Sequence, residues 1–565
     1  MTRRPETVPA SRLLALLFTA MTFTLPALAD GLAGTTLVHN AVVHTVDEDL
    51  PKASALVFDD EGRILAVGET AALAARFDDV RRVDLDGAVV IPGLVDAHAH
   101  LSGYAVSLTR AQLDGAQDLA EVMQRLEAQA ETLGEDDWLL GRGWDQNDWP
   151  GQAFPDRAVL DERFPDRPVW LTRIDGHAGW ANSAALARVD RDMSGDWQPD
   201  GGYIHRDDDG QPTGILIDAA MGLVGPQVPP TPESLMRDAL RLAIRNLHEV
   251  GITGVHDPGI DRATLARYRD LVDAGEFDMR VHGMADGMGE TLDWLCDNGA
   301  YTHPSGRLQM RAVKLYEDGA LGSRGAALLA DYSDEPGNTG LLFHDPEALT
   351  AQVNRVLGCG LQAGIHAIGD RANRVALDAL QAAMGAHPDN PGRHRIEHAQ
   401  VLTAADLPRF AELGVIAAMQ PTHATSDMYW AEQRLGPERS RYAYAWRSLL
   451  DSGARLALGS DFPVEAINPF LGLHAAVTRQ DVKGWPPGGW FPGERMSREE
   501  ALRGFTLDAA WAAFMEADIG SLSVGKRADF IVLDADLMTV PAEDIAAIRV
   551  LETWIDGRRV YERPQ

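Results

Sequence analysis

Between about residues 91 and 515, short apolar runs alternate with helical stretches, and this alternation restricts the possible folds more than any other feature of the chain. Strands are expected at Ala88 to Val95, Val169 to Ile174, Ile252 to His256, Met279 to Gly283, Arg311 to Tyr316, Gln362 to His366, Arg395 to His398, Val415 to Met419 and Arg455 to Leu458. Helical periodicity fills Glu233 to Val250, Ala263 to Ala274, Asp345 to Leu357, Ala372 to Ala383, Ala404 to Glu412 and Ser497 to Trp511. A connection that contains a helix returns the chain to the same end of the sheet, so such strands pair in parallel. For a span of this length the expected α/β architecture is a (β/α)8 TIM-like barrel. A doubly wound open sheet is the alternative, although no glycine-rich phosphate loop follows any early strand.

The two ends of the chain read differently. Short runs at Thr36 to Val43, Ala53 to Phe58, Arg63 to Val67 and Arg82 to Leu85 are separated by turn residues such as Asp60-Glu61-Gly62 and Asp86-Gly87. Similar runs return at Gly520 to Gly525, Asp529 to Asp534, Ile548 to Ile555 and Arg559 to Tyr561, with Asp556-Gly557 at a hairpin turn. Neither set can bury a sheet alone, so residues 30–90 and 516–565 are expected to form one composite β-sandwich domain, leaving 91–515 for the barrel. The region from about 138 to 218 is too long for a plain strand-to-helix connection and reads as an insertion at the barrel's catalytic face.

Chemistry collects at the strand ends. His98 and His100 close the first expected strand, and the period of two places both on one face, where two imidazoles can share a metal ion. Later strands end near Lys314, at His366, at His398 and, through Gly459-Ser460-Asp461, at Asp461. Polar residues of these types at the C-terminal ends of barrel strands point to a metal-dependent active site. Lys314 as a free ammonium has no acceptor and cannot ligate, so a pairing with Glu317 or Asp318 is the alternative role for it. His256-Asp257 also ends a strand and is given no metal role.

The stretches Pro92-Gly-Leu-Val-Asp-Ala-His-Ala-His100, Gly364-Ile-His-Ala-Ile-Gly-Asp370, Arg395-Ile-Glu-His-Ala-Gln400, Gly459-Ser-Asp461 and Gly520 to Asp529 resemble the amidohydrolase superfamily. Gly141-Arg-Gly-Trp-Asp145, Asp175 to Asn182 and Val313 to Arg324 narrow the resemblance to the large branch that includes N-substituted formamide deformylases. The resemblance implies two divalent metal ions, with zinc as the expected metal and iron, manganese or cobalt also suited to the ligands. His98, His100 and Asp461 would hold one ion, and His366 and His398 the other. Lys314, carboxylated by CO2, would bridge them. A hydroxide between the ions would attack a non-peptide amide or formamide, with Asp461 shuttling the proton. His177 is the second candidate catalytic residue, as a hydrogen-bond donor to the substrate carbonyl or an aid to the leaving group. Trp144, Tyr316 and Arg324 are candidate substrate-binding residues.

Two other readings stay open: a mononuclear deaminase, and an exported solute-binding protein without turnover. His366 lacks the following glutamate that the deaminases use, and every ligand type is retained, both of which favour the hydrolase. The partner is then a small-molecule amide, with a homo-oligomer left open. A formal charge of −33 offers no positive field to attract nucleic acid. Arg3, Arg4 and Arg12 precede an apolar segment, Leu13 to Leu25, and small residues at Ala27-Leu28-Ala29, the pattern of a bacterial-type leader cleaved after Ala29. The mature protein is accordingly expected in the periplasm or secreted, with no integral membrane segment. The two cysteines, Cys296 and Cys359, could be bonded or be buried thiols.

Overall fold

The computed structural model describes residues 34–134, 137–174, 176, 178–199 and 202–564. The expected leader, residues 1–29, lies outside them. Eight parallel strands form the central sheet: β1 (Leu94–Asp96), β2 (Ile252–Ile260), β3 (Arg280–Asp286), β4 (Leu308–Tyr316), β5 (Gln362–Ala367), β6 (Arg395–His398), β7 (Ile416–Met419) and β8 (Leu456–Leu458). They are hydrogen-bonded in chain order. The sheet curls until its ends meet, where the Ala97 amide donates to the Leu458 carbonyl at 3.0 Å and the Asp461 amide to the His98 carbonyl at 2.7 Å. Asp96 adds a side-chain link, accepting from the Ser460 amide at 3.0 Å and its hydroxyl at 2.7 Å. The result is a nearly closed TIM-like barrel.

Helices cover the barrel because their apolar residues recur every three to four positions. On Glu233–Glu249 the buried residues are Met236, Ala239, Leu240, Ala243, Ile244 and Leu247, one stripe facing the strands. The expected helix from Ser497 to Trp511 is two helices, Arg498–Gly504 and Leu507–Ala512. The break lets the Phe505 carbonyl accept from the Val95 amide at 2.7 Å, so it serves the end of the barrel.

The run Ala88 to Val95, expected as one strand, is two. Val89–Pro92 belongs to the terminal sheet, and β1 starts only after Gly93. Gly93 lies so close to Thr253 that an added Cβ would fall 2.5 Å from its Cγ2, which is why glycine stands where the chain passes between domains. The terminal sheet interleaves both chain ends, with Phe530–Leu533 antiparallel to Val89–Pro92. Phe58 and Trp554 are four strands apart in its order, ~19 Å in a flat sheet, yet their rings are 6.2 Å apart. The sheet therefore folds over itself into a sandwich. Gly520 to Gly525 is not a strand there; it crosses as a loop, with Leu522 and Gly525 donating to Thr45 and Ile64.

Val169–Arg173 is likewise not a barrel strand. It sits in a six-stranded sheet that runs from Ala111–Gln112 to Pro212–Asp218 and so begins earlier than residue 138. Trp144, Trp149 and Trp180 fill its core, which accounts for the tryptophan density of this region. Cys296 and Cys359 are bonded, with 4.9 Å between their Cα atoms, fastening the helix Glu290–Asn298 to the end of Pro346–Gly358.

A Cβ on Gly459 would lie 2.6 Å from the His98 amide nitrogen and still closer to the Asp96 carboxylate, so Gly459→Ala forces the barrel seam apart. We expect a loss of about 1–3 kcal/mol in urea unfolding; a wild-type midpoint would show that the seam can yield. The disulfide spans 63 residues, so the Cys296→Ser, Cys359→Ser double variant should lose roughly 2–4 kcal/mol by the same measurement, with an unchanged transition counting against it.

Candidate metal centre

At the C-terminal mouth of the barrel the structure brings His98, His100, Lys314, His366, His398 and Asp461 together. The His98 and His398 rings are 4.7 Å apart, as are those of His366 and His398, and Lys314 Nζ is 3.2 Å from His98 Nε2. Asp461 Oδ1 stands 3.6 Å from His98 Nε2 and 3.2 Å from His100 Nε2. His100 keeps about a third of its side chain exposed, so the cluster opens on that side, whereas His98 and Lys314 are buried.

Local backbone geometry explains the convergence. Glu397 and His398 are consecutive and in a regular strand would point to opposite faces. His398 and Ala399 instead adopt φ of 73° and 43°, which breaks the alternation and brings both Glu397 and His398 to the interior. Asp461 is left-handed too, at φ 63°. Strain of this kind in side-chain-bearing residues persists where the surrounding structure over-determines it, commonly at functional sites.

The ring nitrogens are set by their outer partners. His98 Nδ1 donates to Glu397 at 2.5 Å, and His398 Nδ1 to the Gln420 side-chain oxygen at 2.8 Å, so both Nε2 lone pairs face the centre. Glu397 is itself held by Arg395 at 2.6 and 2.9 Å, and Arg395 reaches on to His256 Nδ1 at 2.7 Å. Burial lowers His98 to about 4, aided by the Lys314 charge, and drives His366 and His398 well below the ordinary histidine range. Neutral imidazole is the form that binds a metal. Burial also lowers Lys314 to about 8.

These residues fit a divalent metal. His98, His398 and Asp461 offer ligand atoms within 4.8 Å of one another. Among the described residues, His366 Nε2 and Asp461 Oδ1 are buried without a hydrogen-bond partner. Such unpartnered buried atoms are costly unless a ligand meets them.

Two other expectations are corrected. Lys314 does not pair with Glu317 or Asp318: Asp318 accepts from the Ala327, Ile368 and Gly369 amides, and Glu317 lies 3.4 Å from His344. Trp144 is not at a pocket; it is fully buried in the inserted sheet, its indole nitrogen donating to the Leu171 carbonyl at 3.0 Å. Arg324 is engaged by Asp334 at 2.9 Å and Glu335 at 3.2 Å. Tyr316 does stand beside the cluster, its ring 6.3 Å from that of His366 and its hydroxyl donating to Asp286 at 3.0 Å. His177 lies outside the described residues. Sequence reasoning passed over Glu397, although it sits inside a quoted motif, because its partners are remote in sequence. It passed over His423 because that residue follows β7 by four positions.

A family model described as "Amidohydrolase family" matches residues 81–561. Protein LONG AFTER FAR-RED 3 of Arabidopsis thaliana is 36% identical over 545 residues, 94% of this chain and 92% of the relative. N-substituted formamide deformylase of Arthrobacter pascens is 30% identical over 551 residues, covering 93% and 98%. The crystal structure of an uncharacterized metal-dependent hydrolase from Pyrococcus horikoshii superposes with a TM-score of 0.75 at 28% identity, over 90% of this chain and 99% of that one. With its barrel, its histidine and aspartate cluster and a family match that runs through both, this chain belongs to the amidohydrolase family.

Proposed function

We propose that the protein hydrolyses a carbon–nitrogen bond other than a peptide bond, an amide or formamide of a small molecule, at the cluster formed by His98, His100, Lys314, His366, His398 and Asp461. The observation that carries this reading is the buried trio His98, His398 and Asp461, whose ligand atoms lie within 4.8 Å of one another at the barrel mouth. The likeness to a formamide deformylase over nearly the whole chain supports the substrate class.

His98, His100 and Asp461 would hold one ion, His366 and His398 a second, and Lys314, as a carbamate, would join them; zinc suits this set. Ions bound there supply Lewis acidity and make water a stronger nucleophile near neutral pH. The chain's own residues do the rest. Glu397 keeps the His98 proton on Nδ1, and Gln420 does the same for His398, so neither ring can rotate away or present the wrong nitrogen. Asp461, within reach of His98 and His100, accepts the proton of the attacking water and passes it to the departing nitrogen. Tyr316, fixed by Asp286, forms part of the wall beside His366.

The site of action belongs to the proposal: the basic and apolar leader supports export, and a bonded cysteine pair suits an oxidising compartment. No helix among the described residues is long and apolar enough to cross a membrane.

Elemental analysis of the purified protein should give near two metal equivalents, falling to one or fewer in Lys314→Ala, and a panel of N-substituted formamides and N-acyl amines should contain a substrate. One equivalent in both proteins would sink the bridged pair, and a silent panel would sink the substrate class. Glu397→Gln should weaken metal retention against a chelator about 10- to 100-fold; wild-type retention would remove Glu397 from the support of His98.

A further inference from the structure

Asp461 has two carboxylate oxygens, and they face different neighbours. Oδ1 is turned toward His98 and His100, the proposed metal side. Oδ2 is turned toward His423, whose Nε2 is 3.8 Å away, too far for a hydrogen bond. The His423 side chain is more than nine-tenths buried, and among the described residues its Nε2 has no hydrogen-bond partner. A buried ring nitrogen without a partner costs free energy comparable to a lost hydrogen bond unless a ligand meets it.

The tautomer follows from the other side of the ring. The Gln400 side-chain amide lies 3.2 Å from His423 Nδ1, and with its Nε2 as the donor there the ring carries its proton on Nε2, a donor aimed at the space beside Asp461. Gln400 is kept in place from behind, where its side-chain oxygen lies 3.4 Å from the Tyr444 hydroxyl and the Tyr444 amide donates to its carbonyl at 2.7 Å. The His423 ring also lies near-parallel to that of His398, 6.0 Å between centroids, which fixes its plane. His423 is carried by the helix Pro421–Asp427 directly after β7, so it stands at the same mouth as the proposed ligands.

From this geometry we infer that His423 is a substrate-contacting residue, an N–H donor to the carbonyl oxygen of the bound amide, placed so that donor and proton-carrying Asp461 flank the same carbon. The inference deepens the amide-hydrolase reading and rests on it for the reaction. In this role His423 neither gains nor loses a proton. It stabilises the negative charge that gathers on oxygen as water adds, while Asp461 handles the protons. A ligand role for His423 is a different arrangement, and metal content separates the two.

The test compares His423→Phe, which removes the donor, with His423→Gln, whose side-chain amide can restore one near Nε2. Metal content, kcat and KM for an N-alkyl formamide, and formate affinity by calorimetry are measured for both and for the parent protein. We expect full metal content in both variants and a kcat lowered on the order of 10²-fold in His423→Phe. KM should change little, and His423→Gln should recover part of the loss. Formate, whose oxygens occupy the position of the carbonyl oxygen, should bind about 10-fold more weakly to His423→Phe. Loss of metal in His423→Phe, or unchanged kcat and formate affinity, overturns the inference. If the parent turns over no formamide, the amide reading falls, and formate alone decides: weaker binding in a fully metallated His423→Phe supports the donor, equal binding removes it.

Discussion

The seam between β1 and β8 is the constraint on which the rest of the molecule depends. Two backbone hydrogen bonds and the Asp96–Ser460 contact join residues more than 360 positions apart, and they place the His98 and Asp461 segments side by side. Without that closure the sheet would be open and the histidines of β1 would stand at one edge, far from the aspartate of β8. Gly459 is the detail that allows it, since any side chain there would meet the opposite strand. Gly459-Ser460-Asp461 is thus three requirements in a row: space, a tether and a carboxylate at the mouth.

Much of this was legible in the sequence because the barrel repeats a simple rule. Each parallel strand is buried on both faces and reads as a short apolar run, and polar residues at or near its C-terminal end face the mouth. Lys314, His366, His398 and Asp461 could be found that way. The rule fails where tertiary structure overrides local pattern. Ala88 to Val95 is one hydrophobic run, but it divides between two sheets at Gly93, where Thr253 leaves no room for a side chain. Val169–Arg173 has the composition of a barrel strand and pairs elsewhere. Trp144 shows why aromatic residues are poor markers of a pocket: its indole finds a backbone partner and the ring becomes core. Glu397 and His423 were invisible for another reason. Their roles are defined by partners, His98 and Asp461, that only the closed barrel brings near.

The site is also organised in depth. Lys314, His98, Glu397, Arg395 and His256 form a continuous polar chain that descends from the mouth into the barrel. Each link satisfies the one above it, as a dry interior demands. Glu397 illustrates the balance: burial works against its charge, but Arg395 and His98 outweigh that and hold it ionised. The carboxylate can then keep the His98 proton on the side away from the centre.

Val89–Pro92 and Phe530–Leu533 lie side by side in the terminal sheet, and this shapes how the protein comes into being. The strand that anchors the entrance to the barrel has its neighbour more than 430 residues later in the chain. The terminal domain therefore cannot close until the whole barrel between its two halves has been made, and pairing across so long a loop is slow.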